Sequence, residues 1–229
     1  MRFPELTHHI QLTILRNMLG RPESRYSDLK PKTVEANLFM YHLKQLMKAD
    51  LIEKSGKNYV LTRQGKLFAD RATLESMRIR VQPKLITILC VRRSDGQWLA
   101  LRRKHQPFND YMGFPSGKIH YGEGLQTSAN RELKEKAGLE NVELSLRGNV
   151  MMRFFDGNEV VNHIVGYVFY GEVPAGTDVA KRTEHYDTFF GNEDELFREP
   201  CFKGHREILT YLSGGEQLFI KEDDFTSDI

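Results

Sequence analysis

Glu132 and Glu135 stand three residues apart in a stretch, 125–139, whose apolar residues Leu125, Ala129, Leu133 and Ala137 recur at helical spacing. Carboxylates at i and i+3 share one polar side of such a helix, and hard oxygen donors placed that way can hold a divalent cation. The approach to the helix is rich in glycine (Gly117-Lys118, then Gly122-Glu123-Gly124), which lets a phosphate chain come close to backbone. Gly138 supplies the helix stop. The chemistry on offer is cation-assisted handling of a phosphorylated molecule.

The elements that must position this helix are strand-like. Apolar runs at 85–91, 98–101, 142–146 and 160–169 predict a mixed sheet interrupted by the helix. Upstream of Pro83 the pattern changes to short helices, which places a domain boundary there. The whole chain of 229 residues carries a net charge of +2, but residues 1–82 hold 15 basic and 8 acidic side chains, or +7, and residues 83–229 hold 18 and 23, or −5. Such a split directs attention to the first lobe for a polyanion. The expected division is a basic domain at 1–80, a sheet domain at 81–215, and a frayed, solvated tail at 216–229. Two distant cysteines, Cys90 and Cys201, exclude a disulfide framework or thiolate zinc site and read as buried, reduced thiols. With no apolar stretch approaching the roughly 18 residues of a membrane span and no secretion signal, the expectation is a cytoplasmic chain with no membrane partner.

In the basic lobe, Ile10, Ile14, Leu15, Met18 and Leu19 predict a first helix, and 26–30 a short second one. Thr33 is the expected N-cap of a third helix running to about Ala49, with Phe39, Leu43, Leu46 and Met47 as its buried stripe. Asn37, Tyr41, Lys44 and Lys48 fall on the opposite face and suit base edges and phosphates, although Lys44 and Lys48 would equally form a solvated helix face. Residues 51–61 read as a hairpin whose tip, 54–58, contains Lys57, and a fourth helix is expected at 64–73. Three helices and a basic hairpin resemble the winged-helix DNA-binding domains of bacterial regulators. That resemblance implies a helix in the major groove of double-stranded DNA, Lys57 near flanking phosphate, and a homodimer whose two helices reach half-sites about 34 Å apart.

The sheet domain resembles the Nudix superfamily, whose box reads G-x5-E-x7-R-E-U-x-E-E-x-G-U. Gly117, Glu123, Arg131, Glu132, Leu133, Glu135, Gly138 and Leu139 match in register, preceded by Phe114-Pro115-Ser116. The combined fold class is α+β: an N-terminal winged helix-turn-helix followed by a Nudix fold, a mixed sheet sandwiched between helices. The resemblance implies that Glu132, Glu135 and the Ser116 carbonyl hold magnesium or manganese. It further implies that Arg131 orients the carboxylates, that Glu123 supports the loop, and that Gly117 and Lys118 contact a nucleotide or other phosphorylated small molecule.

One position departs from the box. Lys136 stands where a second adjacent glutamate is expected, so an oxygen donor is lost and the local charge moves by two units. At about 4 Å and an effective dielectric near 20, a unit-charge contact is worth on the order of 4 kcal/mol, doubled against a divalent cation. Lys136 therefore opposes metal occupancy and binds phosphate itself, or it turns aside to pair with Glu132 four residues earlier. In the first case no metal is required; in the second, Glu184, Asp187 or Glu195 could complete the ligand set. His120, His163 and His185 read as structural or solvated, and Tyr121, Phe114 and Phe154 as core or as stacking partners for a base. Two functions remain open. The chain resembles Nudix-type transcriptional regulators, whose winged helix commonly follows the Nudix domain, and which bind a ligand with little hydrolysis. Alternatively it is a magnesium-dependent hydrolase of a nucleoside diphosphate linked to another group, with the basic lobe as an accessory. The expected ligand is not specifically ADP-ribose, because 153–157 lacks the proline that relatives specific for it often carry beyond the box.

Overall fold

The computed structural model describes every residue except 1–3, 5, 22, 74, 75, 78, 180, 215–217, 228 and 229. Two compact units emerge, Met1–Val81 and Gln82–Ile229.

The first unit contains α1 (His9–Leu19), β1 (Ser24–Arg25), α2 (Tyr26–Leu29), α3 (Ala36–Lys48), β2 (Ile52–Ser55), β3 (Asn58–Leu61) and α4 (Arg63–Arg71). Ile10, Ile14, Leu15 and Met18 of α1 pack with Phe39, Leu43 and Leu46 of α3 in one core that also takes in Leu51 and Phe68. β1, β3 and β2 form a small antiparallel sheet in that order. The N-cap of the third helix is Glu35 rather than Thr33, because 31–34 close a turn in which the Val34 amide donates to the Pro31 carbonyl. Its buried stripe contains His42 in place of Met47, which is exposed. Ser55 and Asn58 pair across the hairpin, so its turn shortens to Gly56 and Lys57. Thr62 caps α4 by accepting from the Gly65 amide at 2.9 Å.

The second unit is built on β4 (Lys84–Arg93), β5 (Trp98–Arg103), β6 (Met112–Gly113), β7 (Ser116–Lys118), α5 (Leu125–Ala137), β8 (Ser145–Asp156), β9 (Glu159–Val173), β10 (Lys181–Arg182), β11 (Tyr186–Gly191), α6 (Glu193–Leu196), α7 (His205–Ser213) and β12 (Phe219–Thr226). Its sheet runs β10-β11-β5-β4-β9-β8-β12, with β6 on β5 and β7 on β4. It is mixed as expected: β4 is parallel to β9 and β12 to β8, while the other pairs are antiparallel. Leu89, Val91 and Phe169 pack on one face against Ala129, Leu133 and Ala137 of α5. On the other face Ile88, Val150 and Val168 meet Leu196 of α6 and Ile208 and Leu209 of α7. The expected frayed tail is overturned. Residues 219–226 form an edge strand, with Phe219 buried in the core; 216, 217, 228 and 229 of that tail lie outside the described residues. Cys90 is buried as expected, whereas Cys201 is half-buried; both are free thiols. Among the described residues no helix is long and apolar enough to cross a membrane.

Candidate functional site

β7 pairs with β4 through Thr87↔Gly117, which fixes the start of the glycine-rich approach on the sheet. The chain then turns through 119–124 into α5, which ends at Gly138 in the left-handed conformation (φ 71°) that the stop requires. Because Ala129, Leu133 and Ala137 press α5 onto the sheet, Glu132, one residue from Leu133, is carried inward and is only 5% exposed. Glu135 lies outward, so the two carboxylates do not share one solvated side.

Arg131 holds this arrangement together. Its Nε and Nη2 donate to the two oxygens of Glu123 at 2.7 and 2.8 Å, and Nη1 donates to Glu132 Oε1 at 2.6 Å and to Glu135 Oε2 at 3.4 Å. Nη2 also reaches the Lys118 carbonyl at 3.1 Å, tying the helix to the approach loop. The Glu123 carboxylate accepts from the His120 amide as well, and Arg131 first, then that amide, lowers its pKa to about 2. Arg131 thus joins the carboxylates of Glu123, Glu132 and Glu135, and Glu123 is held between Arg131 and the His120 amide.

Glu132 Oε2 is buried with no hydrogen-bond partner. Opposite it stands Gly117, where an added Cβ would lie 1.8 Å from the Glu132 carboxyl carbon and 2.0 Å from each oxygen. A buried carboxylate oxygen without a donor, beside backbone that only glycine leaves open, suits a small hard cation. If magnesium or manganese is held here, the expected donors are Glu132, Glu135 and the Ser116 carbonyl one peptide before Gly117. No group of three acidic, histidine or cysteine side chains that could hold a metal converges among the described residues.

Lys136 does not pair with Glu132. Its Nζ sits 4.4 Å from the ring centroid of Tyr186, and the Tyr186 hydroxyl donates to the Glu135 carbonyl at 2.9 Å. Lys181 Nζ donates to the same carbonyl, so β10 and β11 together grip the last turn of α5. Burial first, then Glu135 and Glu132, raises the Tyr186 pKa. With Glu132 drawn inward, the i, i+4 partner of Lys136 is out of line and the aromatic face takes the ammonium instead.

The carboxylates considered as replacements are engaged elsewhere. Asp187 follows Tyr186 and so points to the opposite face of β11, where Arg102 and Lys104 each reach it at 3.2 Å. Glu195 accepts from the Asn192 amide and, with Asp187, lines a cavity of about 650 Å³ that includes no residue of 117–139. Glu184 lies 3.1 Å from His185 on the surface. His163 carries a buried, unpartnered Nε2 on β9, and His120 is exposed.

A second cavity, of about 400 Å³, includes Ser116 and Lys118 in its lining. Four cationic side chains, Lys84, Arg103, Lys118 and Lys203, line it with no carboxylate among the described residues. Its aromatic wall is a contiguous cluster, with Phe202 5.8 Å from Phe108 and 5.5 Å from both Tyr111 and His205, centroid to centroid. Phe154 lines it too, whereas Phe114 belongs to the core and Tyr121 is exposed. Sequence reasoning missed Arg103, Phe108, Tyr111, Asn162, Phe202 and His205, which come from three separate segments without a shared motif. In the first unit, Asn37, Tyr41, Lys44 and Lys48 are all exposed on α3, and Lys57 is exposed at the hairpin turn.

Residues 83–212 match the family described as NUDIX domain. The chain is similar to an ADP-ribose pyrophosphatase of Methanocaldococcus jannaschii, at 29% identity over 142 residues, 58% of this chain and 81% of that one. Among solved structures, the mMutator MutT protein from Bacillus halodurans superposes with a TM-score of 0.53 at 22% identity, covering 63% of this chain and 92% of that one. The NUDIX domain of Shewanella oneidensis NrtR, in complex with ADP ribose, gives 0.51 at 14% identity, covering 65% and 96%. At these identities the structural likeness shows the fold.

Proposed function

The chain belongs to the NUDIX domain family, and we propose that it is a ligand-responsive transcriptional regulator whose box-bearing domain binds a nucleotide or other phosphorylated molecule with little hydrolysis. The observation that carries the binding half is the 400 Å³ cavity at Ser116 and Lys118, which combines four cations and an aromatic wall, with no carboxylate among the described residues. Anionic phosphate meets the cations, and a planar ring meets the aromatics. The relatives named for, or solved with, ADP-ribose are consistent with a ligand of this kind. Loss of one carboxylate to Lys136 supports weak hydrolysis, because a bound magnesium or manganese ion would supply charge neutralisation and an activated water only if held firmly.

The order of three helices, hairpin and fourth helix, and the +7 charge of residues 1–82, support reading the first unit as a winged helix that binds double-stranded DNA as part of a homodimer. Asn37, Tyr41, Lys44 and Lys48 would face the major groove, and Lys57 a flanking phosphate.

A second reading, a magnesium-dependent hydrolase of a nucleoside diphosphate linked to another group, is favoured by the unpartnered Glu132 Oε2. The test pairs two assays. The regulator is expected to retard its native upstream duplex, less so with Lys44→Ala and at higher salt, and to show negligible turnover on a panel of nucleotides and nucleotide sugars with magnesium. Clear turnover abolished by Glu132→Gln selects the hydrolase, and absence of duplex binding at low salt removes the regulator.

A further inference from the structure

Tyr186, on β11, makes two contacts with the last turn of α5 that differ in kind. Its hydroxyl donates to the Glu135 carbonyl at 2.9 Å, and its ring carries the Lys136 ammonium, with Nζ 4.4 Å from the centroid. The hydroxyl anchors the end of the helix, whereas the ring decides where a charge rests. Burial first, then Glu135 and Glu132, raises the Tyr186 pKa, so the phenol stands in the field of both box carboxylates. Lys136, held on that ring, shares the field, yet among the described residues no carboxylate pairs with it.

The charge balance shows why the resting place matters. Glu123, Glu132 and Glu135 gather on one guanidinium, Arg131, which leaves two negative charges, the complement of one divalent cation. An ammonium added to the group leaves a single negative charge and repels an incoming ion. The inward placement of Glu132 disfavours a direct pair with Lys136 but does not remove that repulsion, because Coulomb energy falls only as the inverse of distance. Side chains four positions apart on a helix have Cβ atoms about 5–6 Å apart, so a lysine freed from the ring swings back over this group. The other nearby ammonium, on Lys181, is held by donation to the Glu135 carbonyl.

Resting on the reading of Glu132 and Glu135 as a cation site, we propose that Tyr186 is a positioning residue whose ring holds the Lys136 ammonium aside, so that a box with lysine in place of a carboxylate still admits a divalent cation. The departure at Lys136 and the aromatic face fifty positions later act together, the second offsetting the first.

The experiment is manganese titration of the full-length protein, with free ion counted by electron paramagnetic resonance and no nucleotide present. The wild type is expected to bind the ion and Glu132→Gln to lose it. Tyr186→Leu, which removes the ring, should weaken binding by about tenfold or more. Tyr186→Phe, which keeps the ring and loses the anchor to Glu135, should stay within about twofold of the wild type. In a Lys136→Met background Tyr186→Leu should change the affinity by less than about twofold, because no charge is left to release. Circular dichroism checks that each variant is folded. Equal weakening by Tyr186→Leu in both backgrounds is the mark of a merely structural role and overturns the proposal. So does an affinity that Tyr186→Leu leaves unchanged, or one that Tyr186→Phe lowers as far as Tyr186→Leu does. Absence of manganese binding by the wild type overturns the cation-site reading and the proposal with it.

Discussion

Replacing Gly117 by alanine tests the packing on which the candidate cation site depends. The backbone at Gly117 has no positive φ, so alanine is locally permitted. The added Cβ would nevertheless lie 1.8 Å from the Glu132 carboxyl carbon. Non-bonded carbons rest about 3.5–4.0 Å apart, so the carboxylate must withdraw by roughly 2 Å. β7 is held by its pairing with β4, and α5 is packed on the sheet, so the side chain of Glu132 has to yield. That movement breaks its 2.6 Å bond from Arg131, a charge-assisted contact worth about 1.5–3 kcal/mol. We expect Gly117→Ala to lower unfolding free energy by about that amount in denaturant titrations and to weaken manganese binding measured by electron paramagnetic resonance. The decisive assay is a double-mutant cycle: in a Glu132→Ala background the clash is gone, and Gly117→Ala should cost about 0.5 kcal/mol or less. An equal loss in both backgrounds would refute the claim that Gly117 exists to make room for this carboxylate.

Three further outcomes follow from the same geometry. Lys136→Glu should remove the contact with Tyr186, destabilising by about 0.5–1 kcal/mol, and should raise manganese affinity; unchanged affinity would show that Lys136 is not what leaves the ligand set short. His205 is held neutral, with its pKa lowered from 6.5 to about 4, so its contribution is complete above pH 6.5 and is lost as pH falls toward 4, up to about 3 kcal/mol in total. His205→Asn should flatten that part of the stability profile, and an unaltered slope would assign the acid lability to other groups. Phe219→Ala should destabilise by about 3–5 kcal/mol in chemical denaturation, where a solvated tail would register no change.

What was legible in the sequence was local. The α5 helix, its glycine stop, the order of box residues and the exposed face of α3 all follow from spacings within about four turns, and such spacings survive folding unchanged. The mixed sheet was also legible, because buried strands are continuous apolar runs. β12 was not: it reads Phe-Ile-Lys-Glu-Asp-Asp-Phe-Thr, and its charges are tolerated because an edge strand faces solvent along much of its length. Its parallel partner β8 lies some seventy residues earlier, beyond any local pattern.

The site divides in the same way. Sequence alone determined which residue types stand on α5, including the lysine in place of a carboxylate. Only tertiary structure decided where their charges go, because that depends on what lies across from each side chain. Gly117 and Arg131 draw Glu132 inward, the ring of Tyr186 takes Lys136, and the alternation of β11 sends Asp187 to the face away from Tyr186. Asn162 and His205 line one cavity from β9 and α7, forty-three positions apart in the chain, joined by the packing of α7 on the sheet and not by any spacing a sequence records.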